Sequence, residues 1–192
     1  MTDRYLYPDG SNVLINNWGI RDRAILQRVE YRLTAAMASR ALAYADAARI
    51  LNEQVWRGIH KRLFGELYGW AGKFRTVELT KGEIVFAPAA AINGWADREI
   101  LPVFRREAKV AKGDEAFAAA LAKCWGELNF LHPFREGNGR STQIFVAALT
   151  KRHGREIDWA KVGYADEIAA AKAAARTDYA PYTAVILAAL SD

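Results

Sequence analysis

The chain contains a single cysteine, Cys124, in 192 residues. An intramolecular disulfide is therefore excluded, and a reducing cytosol is the natural compartment. No stretch approaches the roughly 18 consecutive apolar residues that span a bilayer. The opening residues, Met1-Thr2-Asp3-Arg4-Tyr5, lack the apolar core of a signal peptide. A cytoplasmic protein with no membrane partner is expected. No Pro-, Gly- or Ser-rich segment divides the sequence, so its 52% hydrophobic content reads as one core and residues 1–192 as one domain. The net charge of +5 is modest and scattered. It favours anionic partners, but the pairs Lys61-Arg62 and Arg105-Arg106 read as solvated helix faces. No basic stripe is interleaved with stacking aromatics, which argues against direct sequence-specific binding of nucleic acid. His60 and His153 do not join His132 in a metal-ligand spacing, so no zinc site is expected.

The dominant period is helical. Leu26, Val29, Leu33 and Met37 recur at three- and four-residue steps, as do Leu51, Val55, Ile59, Leu63 and Leu67. A third face carries Phe117, Leu121, Cys124, Leu128 and Leu131, with Asp114 as its expected cap, and runs straight into His132. A fourth, with Ile144, Phe145, Ala148 and Leu149, should stop at Gly154. Segments 166–175 and 181–190 are helical by propensity. Trp70, Trp95, Trp125, Cys124 and His60 are expected to be packed, and His153 to lie at the surface. One stretch breaks the pattern. From Arg75 to Phe86, Val77 and Leu79 precede Lys81-Gly82 and Ile84 and Phe86 follow, which predicts a short β-hairpin. The fold class is mainly α: a helical bundle with a hairpin flap at about 75–87.

Residues 132–140, His-Pro-Phe-Arg-Glu-Gly-Asn-Gly-Arg, concentrate the chemistry. His132 can accept a proton near neutral pH. Gly137 and Gly139 allow backbone N–H groups to approach phosphate oxygens, and a helix opening at Gly139 would turn its positive end on the same anion. Glu136 offers a hard oxygen to Mg²⁺, and Arg140 can fork onto a phosphate.

This run resembles the active-site motif of the Fic (Fido) family, His-Pro-Phe-x-Asp/Glu-Gly-Asn-Gly-Arg-x-x-Arg, whose members transfer AMP from ATP to a hydroxyl of a target protein. Every fixed position through Arg140 matches; Gln143 stands where the last arginine is expected. Tyr5-Leu6-Tyr7-Pro8 and Val13-Leu14-Ile15-Asn16 look like the opening of bacterial Fic toxins, and Ile59-His60, Leu63-Phe64, Tyr68, Trp70-Ala71-Gly72 and Arg75 like the family core. The resemblance implies that His132 is the general base, Phe134 a buried anchor and Glu136 the holder of Mg²⁺. Asn138 and the amides of Gly137 and Gly139 would brace the phosphate oxygens, with Arg140 and Gln143 at the terminal phosphates of ATP. It implies that Thr80, Lys81 and Gly82 of the flap hold the target segment.

Gln143 carries no charge, so its contact should be weaker than an arginine's. Self-restrained relatives carry Ser/Thr-x-x-x-Glu-Gly/Asn near one terminus, and no such string occurs here. The resemblance therefore implies a toxin held in check by a small antitoxin protein bearing that helix, with the ATPase subunits of type II topoisomerases (DNA gyrase or topoisomerase IV) as the expected targets. Two alternatives remain open. A Fic-fold kinase or other phosphotransferase would usually alter Gly137-Asn138-Gly139, which is intact. A nucleotide-binding module with weakened catalysis would account for Gln143.

Overall fold

The computed structural model describes residues 3–82 and 84–191. Expectations that touch Met1, Thr2, Glu83 or Asp192 fall outside these residues. Among the described residues the helices are α1 (Arg23–Ala47), α2 (Glu53–Phe64), α3 (Leu101–Val110), α4 (Gly113–Leu131), α5 (Asn138–Lys151), α6 (Tyr164–Ala174) and α7 (Ala180–Ala189). Two antiparallel pairs accompany them: β1 (Thr80–Lys81) with β2 (Ile84–Val85), and β3 (Glu156–Ile157) with β4 (Leu190–Ser191).

Local chemistry sets the helix starts. Asp22 accepts a hydrogen bond from the Ile25 amide at 2.8 Å to open α1, and Asn52 accepts from Val55 at 3.0 Å to open α2. Helix α4 opens differently from the expectation. Lys112 holds the cap position without a side-chain bond, and Asp114 lies in the first turn, where it accepts from Arg155 at 2.8 Å. An acidic residue there still complements the positive helix end.

Helix α4 is buried on most sides, through Phe117, Leu121, Cys124, Trp125, Leu128 and Leu131 among others, and packs against α3, α5, α6 and α7. It is the axis of the bundle. Helix α2 completes the core from the other flank. Trp56 stacks on Phe145 at 5.7 Å and meets Phe134 edge-on at 5.6 Å, while His60 stacks between Phe64 at 4.6 Å and Phe134 at 3.9 Å.

Several expectations are corrected. The hairpin is shorter than the alternation implied: the register pairs Thr80 with Val85 and Lys81 with Ile84, one further bond joins Phe86 to Leu79 at 3.2 Å, and residues 75–79 are not strand. Trp95 is exposed, since it sits at the start of a π-helical turn (Ala96–Ile100) with its neighbour Ala96 facing inward instead. His153 is half-buried between Phe104 and Phe117, each 5.5 Å away. Helix α3 and the β3–β4 pair were not foreseen, although Leu101, Phe104 and Ala108 bury one face of α3 at helical spacing. Among the described residues no helix is long and apolar enough to cross a membrane.

His60 is fully buried, donates from Nε2 to the Glu136 carbonyl at 2.9 Å and accepts at Nδ1 from the Gly72 amide at 3.0 Å. Burial foremost, with Arg140 adding to it, pushes its pKa down to about 4. The unfolded chain binds a proton near pH 6.5 that native His60 refuses until about pH 4, so stability falls as the pH drops through that window. The difference corresponds to about 3 kcal/mol. In denaturant titrations the stability gap between wild type and His60→Gln should therefore narrow by about that amount between pH 7 and pH 4. A gap independent of pH would contradict the assignment.

Candidate active site

Helix α4 ends at His132, whose φ of 43° and ψ of 57° are left-handed, and Pro133 prevents further helix. The conformation swings the imidazole out of the bundle towards the flap, where it stacks on Phe86 at 3.8 Å and 14°. Its Nδ1–H donates to the Asn129 carbonyl at 3.1 Å. That bond fixes the tautomer and leaves Nε2 as the acceptor. Burial lowers the pKa to about 4, helped by Arg75 and Lys81 and opposed by the Asn129 carbonyl. His132 is thus a neutral base at physiological pH.

Arg75, fully buried, ties this corner together. Its Nε donates to the His132 carbonyl at 2.8 Å, Nη1 to Val77 at 2.8 Å, and Nη2 to the carbonyls of Ala87 and Leu131. Its own amide donates to Pro133 at 2.8 Å, and the Ala87 amide donates to Phe130 at 3.1 Å. Both arms of the flap and the end of α4 therefore share one guanidinium. Burial lowers its pKa, and the nearby Glu78 carboxylate, 3.7 Å away, opposes that shift.

The loop that follows is held from below. Phe134 is fully buried, and the Asn138 side chain closes on its backbone, accepting from the Phe134 amide at 2.8 Å and donating to its carbonyl at 2.7 Å. The Asn138 amide group thereby shapes the loop, and the residue also lines the cavity described below. Gly137 has a φ of +79°, and a Cβ there would meet the Phe64 ring at 2.2 Å. Only glycine fits on both counts. Its amide donates to the Glu136 carboxylate at 2.9 Å. Gly139 is exposed, and a Cβ there would meet nothing within 4 Å, so the first amides of α5 open onto solvent. The helix starts at Asn138, one residue before the expected position.

Three residues at the site, Glu30, Thr34 and Glu167, escaped the motif. Glu30 on α1 binds Arg140 Nη2 at 2.5 Å with one oxygen and accepts from the Tyr68 hydroxyl with the other. Thr34 accepts from Arg140 Nη1 at 3.2 Å, and the guanidinium lies over the Phe64 ring at 4.8 Å. Arg140 is therefore caged by α1 and α2, with two of its donors already used. Gln143 donates to the Glu167 carboxylate of α6 at 3.1 Å. Neither acidic residue lies in a recognisable motif; the only sequence signal is that Glu30 and Thr34 fall at helical spacing with Leu26, Ala41 and Ala45 on the buried face of α1.

Arg140, Gln143 and Glu167 border a cavity of about 570 Å³ that runs from the loop, past His132, to Ile84 on the flap and Ile168 and Ala171 on α6. Lys81 reaches it from the flap, whose Thr80, Lys81 and Gly82 are exposed. The structure thus brings the flap, His132, Glu136, Gly137, Gly139, Arg140 and Gln143 to one cavity. No group of three or more His, Cys, Asp or Glu that could hold a metal occurs among the described residues. The Glu136 carboxylate, 46% exposed at the cavity, fits Mg²⁺ in the mode where one carboxylate is joined by phosphate oxygens and water.

Comparison with known proteins identifies relatives of this chain in sequence and in fold. A family model described as the Fic/DOC family matches residues 50–150. The chain is 36% identical over 160 residues to the protein adenylyltransferase VbhT of Bartonella schoenbuchensis, covering 83% of this chain and 33% of that protein. It is 34% identical to the probable protein adenylyltransferase y4lH of Sinorhizobium fredii, covering 83% and 81% respectively. The chain thus spans about a third of the first relative and most of the second. Among solved structures, the N-terminal Fic domain of a VirB-translocated Bep effector from Bartonella quintana, with bound ADP, superposes with a TM-score of 0.85 at 22% identity, covering 97% of this chain and 94% of that one. BepC of Bartonella tribocorum, with bound AMPPNP, gives 0.83 at 21% identity, covering 97% and 96%.

Two measurements test the site itself. In NMR titrations, the His132 imidazole should stay neutral and Nδ1-protonated from pH 8 to pH 5 and take up its second proton near pH 4. A midpoint near 6.5 would show that the ring is not buried as described. Replacing Arg75 by Met would leave four carbonyls without their donor; it should lower stability by about 3–5 kcal/mol in denaturant titrations, whereas a loss under 1 kcal/mol would contradict its role.

Proposed function

The chain belongs to the Fic/DOC family, and from that premise we propose that it is a protein adenylyltransferase, moving AMP from ATP to a Tyr, Thr or Ser hydroxyl of a target protein. One observation carries the proposal: a neutral imidazole with Nε2 available as acceptor stands between an anion-binding helix start and a hairpin with an open edge. His132 takes the proton from the target hydroxyl, whose oxygen attacks the α-phosphorus while the bond to the pyrophosphate oxygen breaks. The amides at the start of α5, among them that of Gly139, stabilise charge on the phosphate oxygens. Arg140, steadied by Glu30 and Thr34, offers its remaining N–H groups to the terminal phosphates. Glu136 would hold Mg²⁺, which when bound neutralises phosphate charge. The flap residues Thr80, Lys81 and Gly82 hold the target as an added strand.

In this reading the 192 residues act as one catalytic unit in the cytoplasm. They form the toxin of a toxin–antitoxin pair whose targets are the ATPase subunits of type II topoisomerases. A groove of about 400 Å³ between α1 and α5, lined by Ala35, Ala38, Leu42, Ile144 and Ala147 and open to Arg140 and Gln143, supports an antitoxin helix bearing Ser/Thr-x-x-x-Glu-Gly. Small side chains let a helix approach closely, and its glutamate would reach Arg140 or Gln143. A second reading, nucleotide binding with little turnover, is favoured by the engagement of Arg140 with Glu30 and of Gln143 with Glu167.

Purified protein and its His132→Ala variant, incubated with bacterial lysate, Mg²⁺ and ATP labelled on the α- or the γ-phosphate, decide between these. Protein bands labelled from α-ATP alone, weakened about 10²- to 10⁴-fold in the variant, are expected. Label from γ-ATP would mean phosphorylation, and nucleotide binding without label would favour the second reading.

A further inference from the structure

An added strand draws its affinity from backbone hydrogen bonds that any sequence can make, so a flap that selects its target needs side-chain recognition beside it. A groove of about 480 Å³ lies between the hairpin and the end of α6, and shares Lys81, Ile84, Phe130 and Lys172 with the catalytic cavity. Lys81 reaches it from the flap, Lys172 and Arg176 from the end of α6 and the turn beyond, and all three are exposed. Ile84, Val85 and Phe130 supply its apolar wall.

Charge sets this groove apart. Among the described residues no carboxylate lines it, and none of its three cations forms a salt bridge. Even with Glu83, a sequence neighbour of Gly82 and Ile84, counted against them, the cations leave a positive balance. Elsewhere such groups are matched: Arg21, Arg135, Arg140, Lys151 and Arg155 each meet a carboxylate within 2.8 Å. The negative end of α6 favours Lys172 and Arg176 where they stand. Lys81 arrives from a different element, and like charges around one groove repel unless an anion joins them.

The hairpin register says where along a bound chain that anion falls. Lys81 pairs with Ile84 and Thr80 with Val85, and the bond from Phe86 to Leu79 continues the ladder. Side chains alternate along a strand, so Phe86 and Ile84 share one face. Phe86 stacks on His132, and Ile84 borders the groove. A strand added in register keeps the alternation. Its residue level with Phe86 presents a hydroxyl to His132, and the residue two positions along, about 7 Å away, presents its side chain to the groove.

We propose that the groove between the flap and α6 receives an acidic side chain of the target protein, two positions from the modified hydroxyl residue, and that Lys81, Lys172 and Arg176 select for it. This deepens, and rests on, the reading of the flap as the edge that holds the target. A polypeptide is favoured over a nucleic acid because the hairpin edge offers it backbone partners. Among the described residues Phe130 is the groove's one aromatic, too few for stacking successive bases.

The test is fluorescence anisotropy, at low salt and without ATP, of labelled peptides of about twelve residues with a central tyrosine in a Thr/Val background. They carry glutamate or lysine two positions from the tyrosine on either side, or glutamate at the adjacent positions. Glutamate two positions away, on at least one side, should tighten binding about threefold to tenfold over the unsubstituted peptide, as a few exposed ion pairs would. Adjacent glutamate should give no gain, and lysine two positions away should weaken binding. In Arg176→Glu the gain should fall below about twofold, while ADP affinity, measured by calorimetry, stays at the wild-type value and shows that the variant is folded. No dependence on position, a gain that survives at full size in Arg176→Glu, or no binding of any peptide would overturn the proposal. So would displacement by a single-stranded oligonucleotide more effective than by the glutamate peptide, or a loss of ADP affinity in step with peptide affinity, which would give the groove to nucleic acid or to the nucleotide. A positional preference in a protein that labels no target would leave the groove standing and remove the transferase reading. Labelling from α-ATP without such a preference would do the reverse.

Discussion

The buried guanidinium of Arg75 is the constraint on which the site depends. A buried cation is costly unless it is surrounded by acceptors. Here the acceptors are carbonyls of Val77 and Ala87 on the flap and of Leu131 and His132 at the end of α4. Those last two sit at the negative pole of the helix, where a cation is favoured. Among the described residues the carboxylate paired with it, Glu78, is 3.7 Å away and 68% exposed, so backbone dipoles carry most of the compensation. One side chain thereby makes the flap and the histidine a single mechanical unit. A strand added to the flap inherits a fixed position relative to His132, which catalysis by positioning requires.

The two helices that meet at the loop divide the electrostatic work. The negative end of α4 is consumed by Arg75, whereas the positive end of α5 stays open to the cavity. A left-handed histidine between them costs some backbone strain, tolerable because the Asn129 carbonyl, Phe86 and Arg75 all hold the residue in place. The same contacts set the proton on Nδ1. His60 and Asn138 complete the support by gripping the backbone of Glu136 and Phe134. Loop side chains therefore divide into those that shape the backbone, Phe134 and Asn138, and those that face the cavity, His132, Glu136 and Arg140.

The sequence revealed what is short-range. Nine contiguous residues carried the loop's chemistry, helical spacing located α1, α2, α4 and α5, and helix propensity located α6 and α7. What it hid is long-range. Glu30 meets Arg140 across 110 positions and Arg75 meets His132 across 57, and no local pattern encodes either. His60 was legible as packed, yet its hold on Glu136 was not. Asp114 looked like a cap until Arg155 claimed it. Trp95 and His153 were misplaced for a related reason: type alone predicts burial on average, whereas a π-helical turn and a gap between Phe104 and Phe117 decided these two. The hairpin's outer arms read as strand from alternation, but Arg75 draws their carbonyls inward and leaves only two ladder rungs.

Charge balance explains how a site with glutamine at 143 can still attract a nucleotide. Arg140 is paired with Glu30 at 2.5 Å, so at a distance the two act as a dipole whose field fades faster than that of a lone cation. Glu136 and Glu167 add negative charge to the same cavity, and Gln143 returns none. Attraction of a polyphosphate then falls to the exposed Lys81 and Lys172 at the cavity wall and to the amides opening α5. Exposed lysines are screened by salt whereas helix amides act at contact. In the proposed reading capture is thus the salt-sensitive step, and once the phosphates reach the loop, fixed amides and the caged Arg140 would hold them at little cost in reorganisation. A weaker long-range pull is compatible with a well-ordered reacting complex, because the groups that steer the nucleotide in are different from those that hold it.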